Sequence, residues 1–139
     1  MILTKNFSLK EFINSRFYSN KQQKQVWIDF KKDAELLVNV KELAINLQVL
    51  RDYLNTSISI NISYRPKWYE IFKGRNGTSQ HCFCKAADIT AKGYTPLEVY
   101  NAIEYLISIG KMKQGGLGKY NTFTHYDIRN KKARWDFSK

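Results

Sequence analysis

The sequence is poor in residues that fix structure by covalent or local constraint: among 139 residues there are two cysteines, two prolines and two histidines. Cys82 and Cys84 flank a single residue. A disulfide that close is strained, and disulfide-built secreted domains carry more cysteines at wider spacing. A disulfide scaffold is excluded, and both thiols are expected reduced, packing as small apolar groups. Long apolar runs are also missing. Nothing approaches the roughly 18 apolar residues needed to span a bilayer, and the opening MILTKNFSLKEF has no signal-peptide core. The chain is therefore expected to be made in the cytoplasm, without a signal peptide or a membrane span. Acidic residues are few: 12 Asp and Glu face 23 Lys and Arg, a net charge of +11. Such a surface gathers polyanions, among them nucleic acids, anionic cell-wall polymers and anionic membranes.

What is present suffices for a folded core. Apolar residues make up 43% and aromatic residues 14% of the chain, which argues against disorder. The length suits one domain, residues 1–139, with a helical part over 1–54 and a second part over 55–139. Ser8 and Glu11 form a capping box, with Phe7 and Phe12 placed as a hydrophobic staple, and predict a helix to about Arg16. The polar run 19–25 reads as a connection or as the exposed start of another helix. Leu36, Val40, Leu43, Leu47, Leu50 and Leu54 recur at helical spacing and predict a long helix with one buried stripe. The period then changes. Ile58, Ile60 and Ile62 alternate with polar residues, as in a half-buried strand that ends before Pro66.

Residues 67–80 hold two glycines and several polar groups and read as a loop, in which Trp68, Tyr69 and Phe72 either line a groove or anchor the loop. Ala86–Thr90 reads as a second strand. Thr95 and Glu98 form another capping box, with Pro96 at the first helical position and Gly110 as a stop. The glycine-rich stretch from Gly115 leads to a third strand, Phe123–Arg129 to a fourth, and Trp135 to a last short one. The fold class is α+β, with N-terminal helices and a small, mostly antiparallel sheet.

Both histidines lie at the edges of predicted strands, each with an aspartate nearby. On the strand from Phe123, alternation puts His125, Asp127 and Arg129 on one side and Tyr126 on the other. His81, Asp88 and His125 together offer two imidazoles and a carboxylate, a donor set that catalytic zinc takes while keeping a place for water. A buried turn with no metal is the competing reading of the same residues.

Two stretches resemble a known family. SQHCFCKAAD, residues 79–88, is similar to the S-x-H-x-x-G-x-A-x-D signature of zinc D-Ala-D-Ala carboxypeptidases and L-alanyl-D-glutamate peptidases, which share a hedgehog/DD-peptidase fold. GGLGKYNTFTHYDIR, residues 115–129, is similar to G-G-x-G-x-Y-x-x-F-x-H-x-D-x-R of a lysin-like branch, and ISYR resembles a strand end whose arginine faces the active site. The resemblance implies that His81, Asp88 and His125 hold Zn2+ and that Arg65 binds a substrate carboxylate or polarises the scissile carbonyl. Ser79 and Tyr120 join Arg65 as candidate substrate or supporting contacts.

Relatives often carry an acid three positions before the last histidine, where this chain has Thr122. Asp127 is therefore a candidate general base, or the group that orients His125. Cys84 stands where the family has glycine, so positive φ is not expected there. Sulfur from Cys82 or Cys84 as a fourth ligand would close the open position.

The expected activity is hydrolysis of peptidoglycan stem-peptide amide bonds next to D-amino acids. The setting would be a phage lysin or virion-associated hydrolase, acting on the wall after phage-mediated release, or a cytoplasmic bacterial enzyme. Expected partners are wall peptides and anionic wall polymers, with the chain a monomer unless part of a particle. The alternative is an inactive, zinc-stabilised binding or structural domain. No helix-turn-helix or RNA-recognition signature is visible, so specific nucleic-acid binding is not expected.

Overall fold

The computed structural model describes residues 1–139. The elements in chain order are α1 (Leu9–Ile13), α2 (Asn20–Lys32), α3 (Ala34–Leu54), β1 (Ile58–Ile62), α4 (Lys67–Phe72), a 3₁₀ turn (Gln80–Phe83), β2 (Ala86–Ala91), α5 (Pro96–Ser108), β3 (Gly116–Lys119), β4 (Thr124–Asp127) and β5 (Ala133–Asp136).

The helix starts follow the capping chemistry. The Glu11 carboxylate accepts from the Ser8 backbone N–H at 2.7 Å, and the Phe7 and Phe12 rings meet at 5.9 Å. Thr95 and Glu98 cap α5 reciprocally. α1 ends at Ile13 rather than near Arg16, because the Ser15 N–H is taken by the side chain of Gln23 at 2.9 Å instead of continuing the helix. The polar run 19–25 is the first half of α2. Ser19 and Gln22 build a third capping box there, and Val26 and Phe30 supply its buried side. The expected loop over 67–80 contains α4. Tyr69 packs inward and the Trp68 indole N–H donates to Asp29 at 2.5 Å, so these two aromatics anchor the helix while Phe72 is exposed.

The five strands form one sheet in the order β1-β2-β4-β3-β5, antiparallel except for the β3–β5 pair. One face is the core. Ala87 and Ile89 of β2, Leu117 of β3 and Tyr126 of β4 are buried in the same apolar cluster as Val99, Ile103 and Leu106 of α5 and the whole leucine–valine stripe of α3. Each fully buried side chain of this size contributes on the order of 2 kcal/mol. Thr124 belongs to that face, its hydroxyl donating to the Pro96 carbonyl at 2.7 Å. Residues of the other parity, Asp88 on β2 and His125 and Asp127 on β4, face away from α5. Alternation along two neighbouring strands thus separates hydrophobic support from polar chemistry.

Candidate metal centre

The antiparallel register sets Asp88 directly opposite His125. His81 arrives from the 3₁₀ turn, whose hydrogen bonds include two made by the backbone of His81 itself. The Ser79 hydroxyl oxygen accepts from the His81 N–H at 3.2 Å, and the His81 carbonyl accepts from the Arg65 N–H at 3.1 Å. One ligand atom from each of His81, Asp88 and His125 falls in a group no more than 4.8 Å across.

The partners of the two rings fix their tautomers. His81 Nδ1 lies 2.7 Å from the Ser63 carbonyl oxygen, which can only accept, so Nδ1 carries the hydrogen and Nε2 a lone pair. That lone pair is 3.3 Å from Asp88 Oδ1. His125 Nε2 lies 2.7 Å from Asp127 Oδ2 and donates to it, leaving Nδ1 at 3.0 Å from the same Asp88 oxygen. Two imidazole lone pairs and a carboxylate therefore converge in a buried place. They repel one another unless a cation lies between them, and a divalent metal with tetrahedral preference fits this donor set.

Without a metal the two rings differ, and a proton on His125 Nδ1, shared with Asp88, takes the place that a cation would hold. Burial lowers the pKa of His81 and keeps it neutral, against the pull of Asp88. Burial pulls His125 the same way, but its hydrogen bonds to Asp127 and Asp88 outweigh it and raise the pKa. Burial would raise Asp88, yet His81 and His125 hold it well below the usual carboxylate range.

Asp127 is wholly buried. Oδ1 accepts from the Gly116 N–H at 2.9 Å, the Arg129 N–H at 3.2 Å and Arg129 Nε at 2.8 Å, while Oδ2 accepts from His125 and from Arg129 Nη2 at 2.7 Å. Burial raises its pKa, but the bonds from His125 and Arg129 win and hold it low. The glycines of the second signature make room for this arrangement. A Cβ on Gly116 would overlap the Asp127 carboxylate, one on Gly115 the Asp127 carbonyl, and one on Gly118 the Trp135 indole.

The ligand group opens into a cleft of about 500 Å³ lined by Arg65, Ser79, Tyr120, Phe123, Arg129 and Trp135 among others. Tyr120 stacks on Phe123 at 4.3 Å, and its hydroxyl accepts from Trp135 Nε1 at 3.0 Å. The Trp135 ring lies 4.9 Å from that of His125. Arg65 reaches the cleft with its Nε buried and without a hydrogen-bond partner, 3.6 Å from the Glu70 carboxylate. Tyr126 takes no part: its hydroxyl donates to the Lys113 carbonyl at 2.8 Å.

Glu70 escapes a reading of the sequence. It is nearly completely buried beneath Arg65 and Arg75, which stand five residues to either side of it. That spacing matches neither a helical nor a strand face, so only the tertiary structure shows the cluster.

Cys84 corrects an expectation. It sits at φ 56°, the left-handed conformation that usually calls for glycine, and is completely buried. Packing of the thiol into the core offsets the backbone cost. Neither cysteine belongs to the ligand group. Burial, with Asp33 nearby, pushes the Cys84 thiol well up, and burial raises Cys82, which is only partly covered. A thiol-reactive dye is expected to label one cysteine slowly in the native protein and both after unfolding. Native labelling at Cys84, located by peptide mass, would contradict this packing.

The sheet supplies Asp88 and His125 and the adjoining 3₁₀ turn supplies His81, so that two histidines and an aspartate meet at an open cleft, a donor set suited to a metal-dependent hydrolase. The sequence model described as Peptidase M15 matches residues 6–127, a span that includes all three candidate ligands, and the chain belongs to that family. It is thus a peptidase by family, acting on peptides, and enzymes of this family are typically zinc-dependent. Compared one by one with curated proteins, the chain matches none. No helix is long and apolar enough to cross a membrane.

Proposed function

We propose that this protein, as one domain over residues 1–139, is a zinc metallopeptidase that hydrolyses peptidoglycan stem-peptide amide bonds next to D-amino acids, as a phage lysin or virion-associated wall hydrolase. The observation that carries the reading is the convergence of His81 Nε2, His125 Nδ1 and Asp88 Oδ1, with both tautomers fixed from behind. When bound there, zinc supplies Lewis acidity and makes hydroxide available near neutral pH.

The chain's own groups supply the rest. Arg65 holds a substrate carboxylate or the carbonyl oxygen on which charge develops. Ser79 fixes the turn that carries His81, and Tyr120 with Trp135 forms a rigid aromatic wall. Asp127 is better suited to orienting His125 than to acting as a base: all its contacts are internal, and it does not line the cleft. The excess of positive charge suits an anionic wall.

A second reading rests on one observation. Among the cleft-lining residues the only carboxylate is Asp88, a candidate ligand, and Thr122 offers no proton acceptor of carboxylate strength. That favours a zinc-stabilised binding domain without catalysis. Incubation of zinc-loaded protein with purified peptidoglycan separates the two. The enzyme is expected to release new amino groups, to be silenced by a chelator, and to yield muropeptides whose masses identify the bond cut. Stoichiometric zinc with no cleavage of any wall type would establish the binding domain instead.

A further inference from the structure

The metal cleft is not closed on the side of Arg65. A second cavity, of about 350 Å³, shares Arg65, Arg75, Asp88 and Phe123 with it and continues past Arg16, Phe17, Asn61, Tyr69, Lys73 and Thr122. Its volume is at the lower end of the range of ligand-binding pockets. Its charge is one-sided. Four cationic side chains line it, Arg16, Arg65, Lys73 and Arg75, and the one acidic lining residue is Asp88, engaged with the two histidines.

The cations differ in how they are held. Arg75 is pinned from below, its Nη2 and Nε donating to Glu70 Oε2 at 2.6 and 2.7 Å, and Glu70 is only 1% exposed. One buried carboxylate therefore serves both Arg75 and the Nε side of Arg65. Arg16 and Lys73 take part in none of the ion pairs of the molecule. They rest over aromatic faces instead, Arg16 at 5.0 Å from the Phe17 ring and Lys73 at 5.7 Å from that of Tyr69. Two uncompensated cations and a preoriented guanidinium thus share a concave space that opens onto the site of chemistry.

We propose that this second cavity is a subsite for a carboxylate of the substrate peptide, separate from the group that Arg65 contacts in the cleft, so that the protein selects stem peptides with a free acid on that side of the scissile bond. The inference rests on the peptidase reading and narrows its substrate. Continuity with the metal cleft makes the occupant part of the molecule being cut, whereas a long wall polymer would be met by lysines and arginines scattered over the whole surface.

The test is a set of synthetic stem peptides in which each carboxylate in turn is replaced by a carboxamide, assayed for kcat/KM with the zinc-loaded protein. Amidation at one internal position is expected to lower kcat/KM about tenfold, the effect of two or three partly exposed charge pairs. That preference should shrink with added salt. In an Arg16→Ala/Lys73→Ala double variant the acid-to-amide ratio should fall toward one, and circular dichroism checks that the variant is folded. The same peptides are titrated by calorimetry, with binding expected to show the same acid preference and the same loss in the variant.

Equal handling of acid and amide at every internal position, or a uniform drop for all peptides in the double variant, would overturn the subsite. Acid-selective binding with no cleavage would uphold the subsite and defeat the peptidase reading. If poly(glycerol phosphate) binds through Arg16 and Lys73 while the carboxylates make no difference, the cavity belongs to a wall polymer and the proposal fails.

Discussion

A His125→Ala variant is expected to lose its zinc and its peptidase activity together, and by more than the 10–100-fold that removal of an outer partner of a ligand costs. His125 joins the candidate ligand Asp88 to the buried carboxylate of Asp127. Its Nδ1 lies against Asp88 and its Nε2 against Asp127. Without the ring, Asp88 and His81 are a two-ligand remnant and Asp127 loses a partner inside the protein. Metal analysis of dialysed protein and amine release from peptidoglycan give the two readouts. Thermal unfolding gives a third: zinc should raise the melting temperature of the wild type and leave the variant unmoved, since an ion that binds only the folded state stabilises it. Retention of zinc at wild-type stoichiometry would place the metal elsewhere.

The second large effect is expected at Asp127, and it separates two roles. Asp127→Ala removes the acceptor for His125, for Arg129 and for the Gly116 N–H at a wholly buried position. Arg129 is partly exposed and can turn to water, so the cost is set by the buried donors left without an acceptor, about 1–3 kcal/mol for each, to be read from denaturant unfolding. Zinc affinity should weaken about 10–100-fold as His125 loses its orientation. A base would behave differently, with zinc and stability near wild type and only turnover lost. The low pKa of Asp127 adds a pH signature. Its stabilising effect is complete above the unfolded carboxylate value of about 4 and fades only in stronger acid, so the stability curves of wild type and variant should approach each other there.

The parts of this molecule that speak in sequence are those governed by neighbours along the chain. The stripe from Leu36 to Leu54 and the boxes Ser8/Glu11 and Thr95/Glu98 specify their helices locally, and the alternation around His125 sorts its strand into two faces. The start of α2 was also written locally, in Ser19 and Gln22, but its first turns are polar and resemble a linker until Val26 and Phe30 are seen to pack. α4 is harder. It begins after Pro66, spans only Lys67–Phe72 and leads into a stretch with Gly74 and Gly77, so its stability comes from Tyr69 and Trp68 packing on distant elements rather than from propensity.

The candidate ligands were legible because they sit in a motif. Glu70 was not, since nothing in a sequence marks a carboxylate that two arginines will bury. Cys84 misled for a related reason. The backbone conformation that glycine usually serves is kept, and the burial that compensates for a side chain there lies outside the motif.

Pairing of Asp88 with His125 across β2 and β4 has a consequence for assembly. A chain that docked the two strands one step out of alignment would turn the imidazole toward α5 and bring a tyrosine to the polar side. Such a misfolded copy would keep only His81 and Asp88, one ligand short of the three that hold zinc at an open site. The ion would therefore proofread the sheet, rewarding molecules whose strands have met correctly and leaving slipped ones to come apart and try again.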